Sequence, residues 1–214
     1  MQAFTGLPIA VNIYGLGADG QPYSDILFTG GGQGASSARD GKSGLLWPTS
    51  ASNTSIELLE SRVPVLVEEK EYTPDSGGPG QFRGGLGQRV KLRKLRDDGL
   101  TTLLAIFPES IGVDTPGLFG GHHGGRSSGI LRRRDGQMTR DLGVGELLAL
   151  SRDDEVLDIH VPGGAGFGDP AERSPVSVAD DVEAGLVTAD VAKKDYGADD
   201  RALAAARAPR EAAE

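Results

Sequence analysis

The sequence predicts an α+β fold: a β-rich body of short strands and Gly-rich loops, a short helix near 54–61 and two C-terminal helices. Three observations predict it. Glycine supplies 33 of 214 residues and proline 12, while aromatics make up 5%, a composition of turns and short strands rather than long helices. Runs rich in β-branched residues alternate with glycine clusters as far as Asp169-Pro170. Helix-capping signatures occur near residue 54 and again after residue 170. These features divide the chain into a β-rich unit over 1–170, a helical extension over 171–197 and an Ala-rich tail over 198–214. At this length roughly 70% of the surface exposed by the unfolded chain can be buried, enough for a proper core.

Each element has its own local signal. Pro8 to Tyr14 is rich in β-branched residues and ends at Gly15; Ala18-Asp19-Gly20 then supplies a hairpin-type turn into Asp25-Ile-Leu-Phe-Thr29. Gly34 to Ser43 is small and polar, hence a loop. Thr54 and Glu57 have the spacing of a capping box for a helix of about two turns. Val63 to Lys70 reads as a strand with Pro64 near its start. Val90 to Leu95 alternates apolar and basic residues, and Thr101 to Phe107 follows a turn at Asp97-Asp-Gly99, which predicts a second hairpin. Further Gly-rich loops lie at 116–125, 135–136 and 162–168, separated by strand-like runs such as Leu147 to Leu150 and Glu155 to Val161. Ser174-Pro175 is an N-cap followed by proline at the first helical position, with Gly185 closing that helix. Thr188 caps another that ends at Gly197. The tail from Asp199 has helical propensity without an apolar stripe, and Pro209 interrupts it, so it reads as frayed.

Composition excludes several functions. A net charge of −9 opposes nucleic-acid binding, which rests on neutralising phosphates with clustered Lys and Arg. The basic runs Arg89 to Arg96 and Arg132 to Arg134 read as solvated strand faces. With zero cysteines there is no disulfide, thiolate metal site or Cys nucleophile. No apolar run reaches the ~18 residues needed to span a bilayer, and the first residues lack the basic and apolar regions of a signal peptide. The chain is therefore expected in the cytoplasm.

Some apparent motifs fail on context. Gly34 to Gly41-Lys42-Ser43 ends like a phosphate-binding loop, but six residues separate its glycines and extended sequence follows where a helix is required. Gly125-Arg-Ser-Ser-Gly129 matches a nucleophile elbow in spelling, yet a glycine loop precedes it and no helix follows, so it reads as a polar turn. Gly164-x-Gly-x-Gly168 lacks the spacing of a dinucleotide fingerprint. His122 and His123 sit in a glycine loop with no third metal ligand nearby, so they read as solvated. His160 alternates with Asp158 on a strand, which places the imidazole beside a carboxylate for a structural contact.

The segment Asp75-Ser-Gly-Gly-Pro-Gly-Gln-Phe-Arg-Gly-Gly-Leu-Gly-Gln-Arg89 is the most shaped part of the chain, with six glycines in fifteen positions. Ordering that much glycine is entropically expensive, so the fold needs the shape. Asp40, Asp75 and Arg83 are the candidate catalytic residues, each a charge set in Gly-rich backbone that a small ligand could approach from several sides. Side chains that satisfy loop N–H and C=O groups would show the same pattern.

Three stretches in order, Trp47 to Pro64, Asp75 to Gln88 and Gly163-Gly-Ala-Gly-Phe-Gly-Asp-Pro170, with Asp195-Tyr-Gly197 near the end, resemble the hydantoinase B family. That family includes B subunits of ATP-dependent hydantoinases and lactamases, the matching half of 5-oxoprolinase, and large subunits of acetone and acetophenone carboxylases. The resemblance is to the C-terminal part alone. It implies ATP-dependent hydrolytic ring opening of a cyclic amide, such as a hydantoin, 5-oxoproline or a lactam. A hydantoinase A type subunit would handle ATP, and a missing N-terminal half of hydantoinase B would carry a His/Asp-type metal motif that has no counterpart here. ATP and a divalent metal are thus expected in the whole complex and neither on this chain. Met1 stands almost directly before strand-like sequence, which suits truncation. An ATP-dependent carboxylase is the alternative chemistry, and a non-catalytic assembly module the alternative role.

Overall fold

In a computed structural model, which describes residues 1–48, 53–107, 114–143 and 145–198, nine strands form two antiparallel sheets with three helices. The strands are β1 (Ile9–Leu16), β2 (Pro22–Thr29), β3 (Val65–Tyr72), β4 (Gln88–Lys94), β5 (Thr102–Phe107), β6 (Ser128–Arg133), β7 (Met138–Asp141), β8 (Glu146–Leu150) and β9 (Glu155–His160). The helices are α1 (Ile56–Arg62), α2 (Pro175–Glu183) and α3 (Ala189–Tyr196). The four-stranded sheet has the order β2-β1-β5-β8 and the five-stranded sheet β3-β4-β9-β6-β7. Their facing residues share one apolar core. Val11, Leu27 and Leu104 come from the first sheet, Val65, Leu92 and Leu157 from the second, and Leu59 of α1 joins them.

The β1–β2 hairpin forms as the sequence predicts, Ile9 facing Thr29 and Leu16 facing Pro22. The second predicted hairpin does not. β4 and β5 belong to different sheets: β5 pairs with β1 and β8, while β4 pairs with β3 and β9. The two strands bury apolar stripes in the shared core from opposite sheets, Val90 and Leu92 of β4 and Leu104 and Ile106 of β5. β4 turns Arg89, Lys91 and Arg93 away from the core, where these cations can face carboxylates of its own neighbours. They find them in Asp158 of β9 and in Glu68 and Glu69 of β3, whereas Thr-Leu-Leu-Ala-Ile-Phe of β5 offers none. The crossing is anchored by Lys94, which is 1% exposed and donates to the Asp98 carboxylate and the Leu100 carbonyl.

Other local expectations shift. The basic run of β4 is not a solvated face but is ion-paired and, at Lys94, buried. Gly125 to Gly129 is not a polar turn throughout, since β6 begins at Ser128; no helix follows, so the elbow is absent. Ser55, not Thr54, caps α1: its hydroxyl accepts from Leu58 N at 3.4 Å and donates to Glu57 at 2.8 Å. Val63 closes α1, which delays β3 to Val65. The two C-terminal helices form as predicted, with Ser174 before Pro175, Thr188 accepting from Val191 N, and Gly197 at φ 66°. They build a second small apolar cluster of Val178, Ala179, Val187 and Ala192. Residues 199–214 of the frayed tail lie outside the described residues.

Beside the sheets, four glycine segments, 30–44, 76–87, 117–125 and 162–168, lock together through their backbones. Gly85 N donates to Gln33 O at 2.8 Å, Gly164 N to Gly85 O at 2.9 Å, Gly78 N to Gly164 O at 2.8 Å and Gly166 N to His122 O at 3.0 Å. The segments approach so closely that a Cβ at Gly84 would overlap the Gly164 carbonyl, and one at Gly163 the Ser76 carbonyl. Because the obstacle is backbone, no rotamer change relieves it.

Gly163→Ala should therefore cost about 3 kcal/mol, at the upper end of overpacking. Gly136→Ala, where φ is 87° and the space around the position is open, should cost about 1 kcal/mol from left-handed strain alone. Denaturant midpoints of the two variants check the contrast; equal losses would contradict the interlock.

Candidate functional site

The three residues singled out from the sequence occupy one region, where the glycine segments meet the C-terminal extension. Asp40 and Arg83 come together directly: Asp40 Oδ1 accepts from the Arg83 backbone N–H at 2.7 Å. Asp75 is set apart from that contact and holds the other helix. It takes a left-handed conformation, φ 63°; its N–H donates to Leu186 O at 3.1 Å, and its carboxylate accepts from the backbone N–H of Thr188, the cap of α3, at 2.8 Å.

Two residues that sequence reasoning missed complete the arrangement. Arg173, just after a 3-10 turn over Pro170–Glu172, forms a two-pronged pair with Asp40 at 2.8 and 2.7 Å and reaches Asp181 of α2 at 2.7 Å. Arg83 Nε donates to the same Asp181 oxygen at 3.2 Å. Side chains of Arg83, Arg173 and Asp181 are each less than one-tenth exposed. The missed signal was in α2: Asp181 falls three residues after Val178 and beside Val182, on the apolar stripe rather than the solvent side.

The electrostatics follow from the packing. Burial pushes the Asp40 carboxyl up, but the hydrogen bond and charge of Arg173 and the Arg83 N–H outweigh it, so its pKa lies below the ordinary value. Burial alone would lower Arg173; its bond to Asp40 and the neighbouring Asp181 charge raise it instead. Tyr196, whose ring lies 6.0 Å from the Arg173 guanidinium carbon, is pushed up to about 12, chiefly by burial. Its hydroxyl and Arg173 Nε are buried without a hydrogen-bond partner. A polar groove of about 330 Å³ opens beside the cluster, lined by Arg39, Asp40, Gln81 and Arg173 among others.

Chemically this arrangement clamps more readily than it reacts. Both Asp40 oxygens accept hydrogen bonds, and neither guanidinium can act as a base near neutral pH. The donors also fit a divalent metal poorly, because these carboxylates are engaged by arginine. No group of three or more His, Cys, Asp or Glu residues among those described could hold a metal ion. His122 and His123 have exposed side chains, while the His122 backbone is tied to Pro79 and Gly166. His160 does lie beside Asp158, 3.5 Å away; burial lowers its pKa, with the Asp158 charge opposing. Among the described residues no helix is long and apolar enough to cross a membrane.

The sign of the pH effect is fixed by Asp40. A depressed folded-state pKa contributes stability that is present above the unfolded value, near 3.8, and is lost as pH falls through the folded value. Asp40→Asn should therefore lower the thermal midpoint at neutral pH, and the gap from the unmodified protein should close progressively below about pH 4. Midpoints measured from pH 7 to pH 2 test this; a gap that persists unchanged at low pH would contradict it.

The sequence and fold of this chain have known relatives. The Hydantoinase B/oxoprolinase family model matches residues 3–170. The chain is 32% identical over 182 residues to caprolactamase subunit beta of Pseudomonas jessenii, covering 78% of this chain and 29% of that protein. It is 30% identical over 115 residues to 5-oxoprolinase of Dictyostelium discoideum, covering 54% and 9%. The crystal structure of the ATP-dependent caprolactamase from Pseudomonas jessenii superposes with a TM-score of 0.71 at 28% identity, over 97% of this chain and 38% of that one. Nucleotide-free acetone carboxylase shares the fold, with a TM-score of 0.72 at 22% identity over 95% and 32%. The chain thus spans less than a third of the length of the caprolactamase subunit it matches. It belongs to the hydantoinase B/oxoprolinase family.

Proposed function

We propose that this chain is the C-terminal part of a hydantoinase B type subunit and takes part in ATP-dependent hydrolytic ring opening of a cyclic amide. The observation that carries the reading is the 32% identity to a caprolactamase beta subunit across 78% of the chain, against 25% to an acetone carboxylase alpha subunit. That difference favours amide hydrolysis over carboxylation. The chemistry is coherent. An amide carbonyl is a poor electrophile; phosphoryl transfer from ATP to its oxygen releases ADP and activates the carbon to water, the tetrahedral adduct breaks its C–N bond to open the ring and leave an acyl phosphate, and a second water releases phosphate and the carboxylate. The site must then bind an anionic intermediate and exclude bulk water.

In this reading ATP is handled by a hydantoinase A type partner, and a divalent metal is held by the remainder of hydantoinase B, in the cytoplasm. The unit over 1–170 supplies the shaped backbone against which that remainder packs, and the extension over 171–197 braces it. Asp40, Asp75 and Arg83 contribute by holding the extension to the glycine segments.

Co-expression with an A-type subunit and the rest of a B-type subunit should give lactam- or hydantoin-dependent ATP hydrolysis, while the isolated chain gives none. Asp75→Ala and Arg83→Ala should reduce that activity in step with their loss of thermal stability. Turnover by the isolated chain, or ATP hydrolysis that responds to acetone and not to cyclic amides, would refute the assignment.

A further inference from the structure

The outer face of the five-stranded sheet carries a second polar feature that the clamp does not use. A concavity of about 500 Å³ is lined by Arg89, Lys91, Arg132, Arg133 and Arg134 against two carboxylates, Glu68 and Asp158. We infer that this concavity binds a small polyvalent oxyanion of the phosphate class, either free or as the head of a phosphorylated small molecule.

The charges already in place account for the lining carboxylates and leave cations over. Asp158, wholly buried, accepts from Arg89 Nε at 3.0 Å and Nη2 at 2.8 Å, and from Arg132 Nε at 3.3 Å. Glu68 is taken by Arg93, and Lys91 pairs with Glu69 at the rim. Arg133 and Arg134 make no side-chain ion pair among the described residues, although their backbones are fixed by Gln137 O at 2.9 Å and Asp154 O at 2.8 Å. Two unpaired guanidinium forks therefore stand on the β6–β7 hairpin beside two more that are held by a buried carboxylate. Planar guanidinium forks match phosphate oxygens in pairs, and each charge-assisted bond is about twice as strong as a neutral one. In a chain of net charge −9, such a local surplus of positive charge would hold an anion that the rest of the surface repels.

Size and chemistry favour a small ligand over a protein surface. The concavity holds about 500 Å³, the volume of a small-molecule site, and four of its five lining cations are guanidinium groups whose forks match phosphate oxygens. The inference stands independently of ring-opening activity, and its test requires no turnover.

The thermal midpoint of the full chain would be titrated with inorganic pyrophosphate at an ionic strength held constant with sodium chloride. Parallel titrations would use phenyl phosphate and an Asp/Glu-rich peptide. A saturable rise with pyrophosphate is expected, with the apparent Kd weakened at least about tenfold in the R133Q/R134Q double variant. Both positions are exposed, so the variant should keep its far-UV circular dichroism. Tighter binding of phenyl phosphate than of pyrophosphate would identify a phosphorylated small molecule as the ligand class; the reverse would identify the free oxyanion. A rise reproduced by sodium chloride alone, or undiminished in the double variant, would overturn the inference. Binding of the acidic peptide without binding of either phosphate would overturn it in favour of a protein partner.

Discussion

The close approach of four glycine segments is the constraint on which the rest of the structure depends. Where Gly84 meets the Gly164 carbonyl and Gly163 meets the Ser76 carbonyl, the distance between backbones leaves no room for a methyl group. What is gained is a dense set of backbone hydrogen bonds in segments that are neither helix nor sheet, so buried N–H and C=O groups are satisfied without a regular ladder. The layer is also joined to the sheets, where Gln88 of β4 accepts from Gly30 N at 2.8 Å, and within the layer Ser43 accepts from Leu86 N at 2.9 Å. Glycine cannot contribute apolar burial, so the sheets supply that through a core drawn from both of them.

A backbone layer has few side chains with which to recognise anything docked against it. The helical extension meets this through charge. Its apolar cluster is small and formed largely from its own residues, and its ties to the glycine segments run through Arg173, Asp181 and the backbone of Leu186 and Thr188. Buried ion pairs gain little net stability over apolar packing, since desolvation offsets their attraction, but removal of either partner is strongly destabilising. Such a contact favours one geometry over many, which suits the attachment of two short helices to a surface with little apolar area of its own.

Much of this was legible in the sequence, for identifiable reasons. Ser174-Pro175, Gly185, Thr188 and Gly197 are local signals, and a helix end is decided locally. The alternation of Val90 and Leu92 with Lys91 and Arg93 correctly gave a half-buried strand, but not its neighbour. One neighbour of β4 is β9, whose Asp158 lies 69 residues beyond Arg89, a separation that no local pattern encodes. The same limit applies to the candidate site. Asp40, Asp75 and Arg83 stood out because charges in glycine-rich backbone are unusual, and all three do engage specific partners. The partners Arg173 and Asp181 lay in a region read by its helix caps, where an aspartate on an apolar stripe was the unread signal.

The distribution of charge also bears on where chemistry can occur. The carboxylates of this chain that are buried among the described residues, Asp158 and Asp181, both accept from arginine. A general base needs a lone pair that is free at the operating pH, and a metal site needs several such donors in one place. Carboxylates held between guanidinium groups meet neither need; they fix the position of backbone. In the function proposed above, Asp158 and Asp181 therefore fix backbone and do not themselves serve as base or metal ligand.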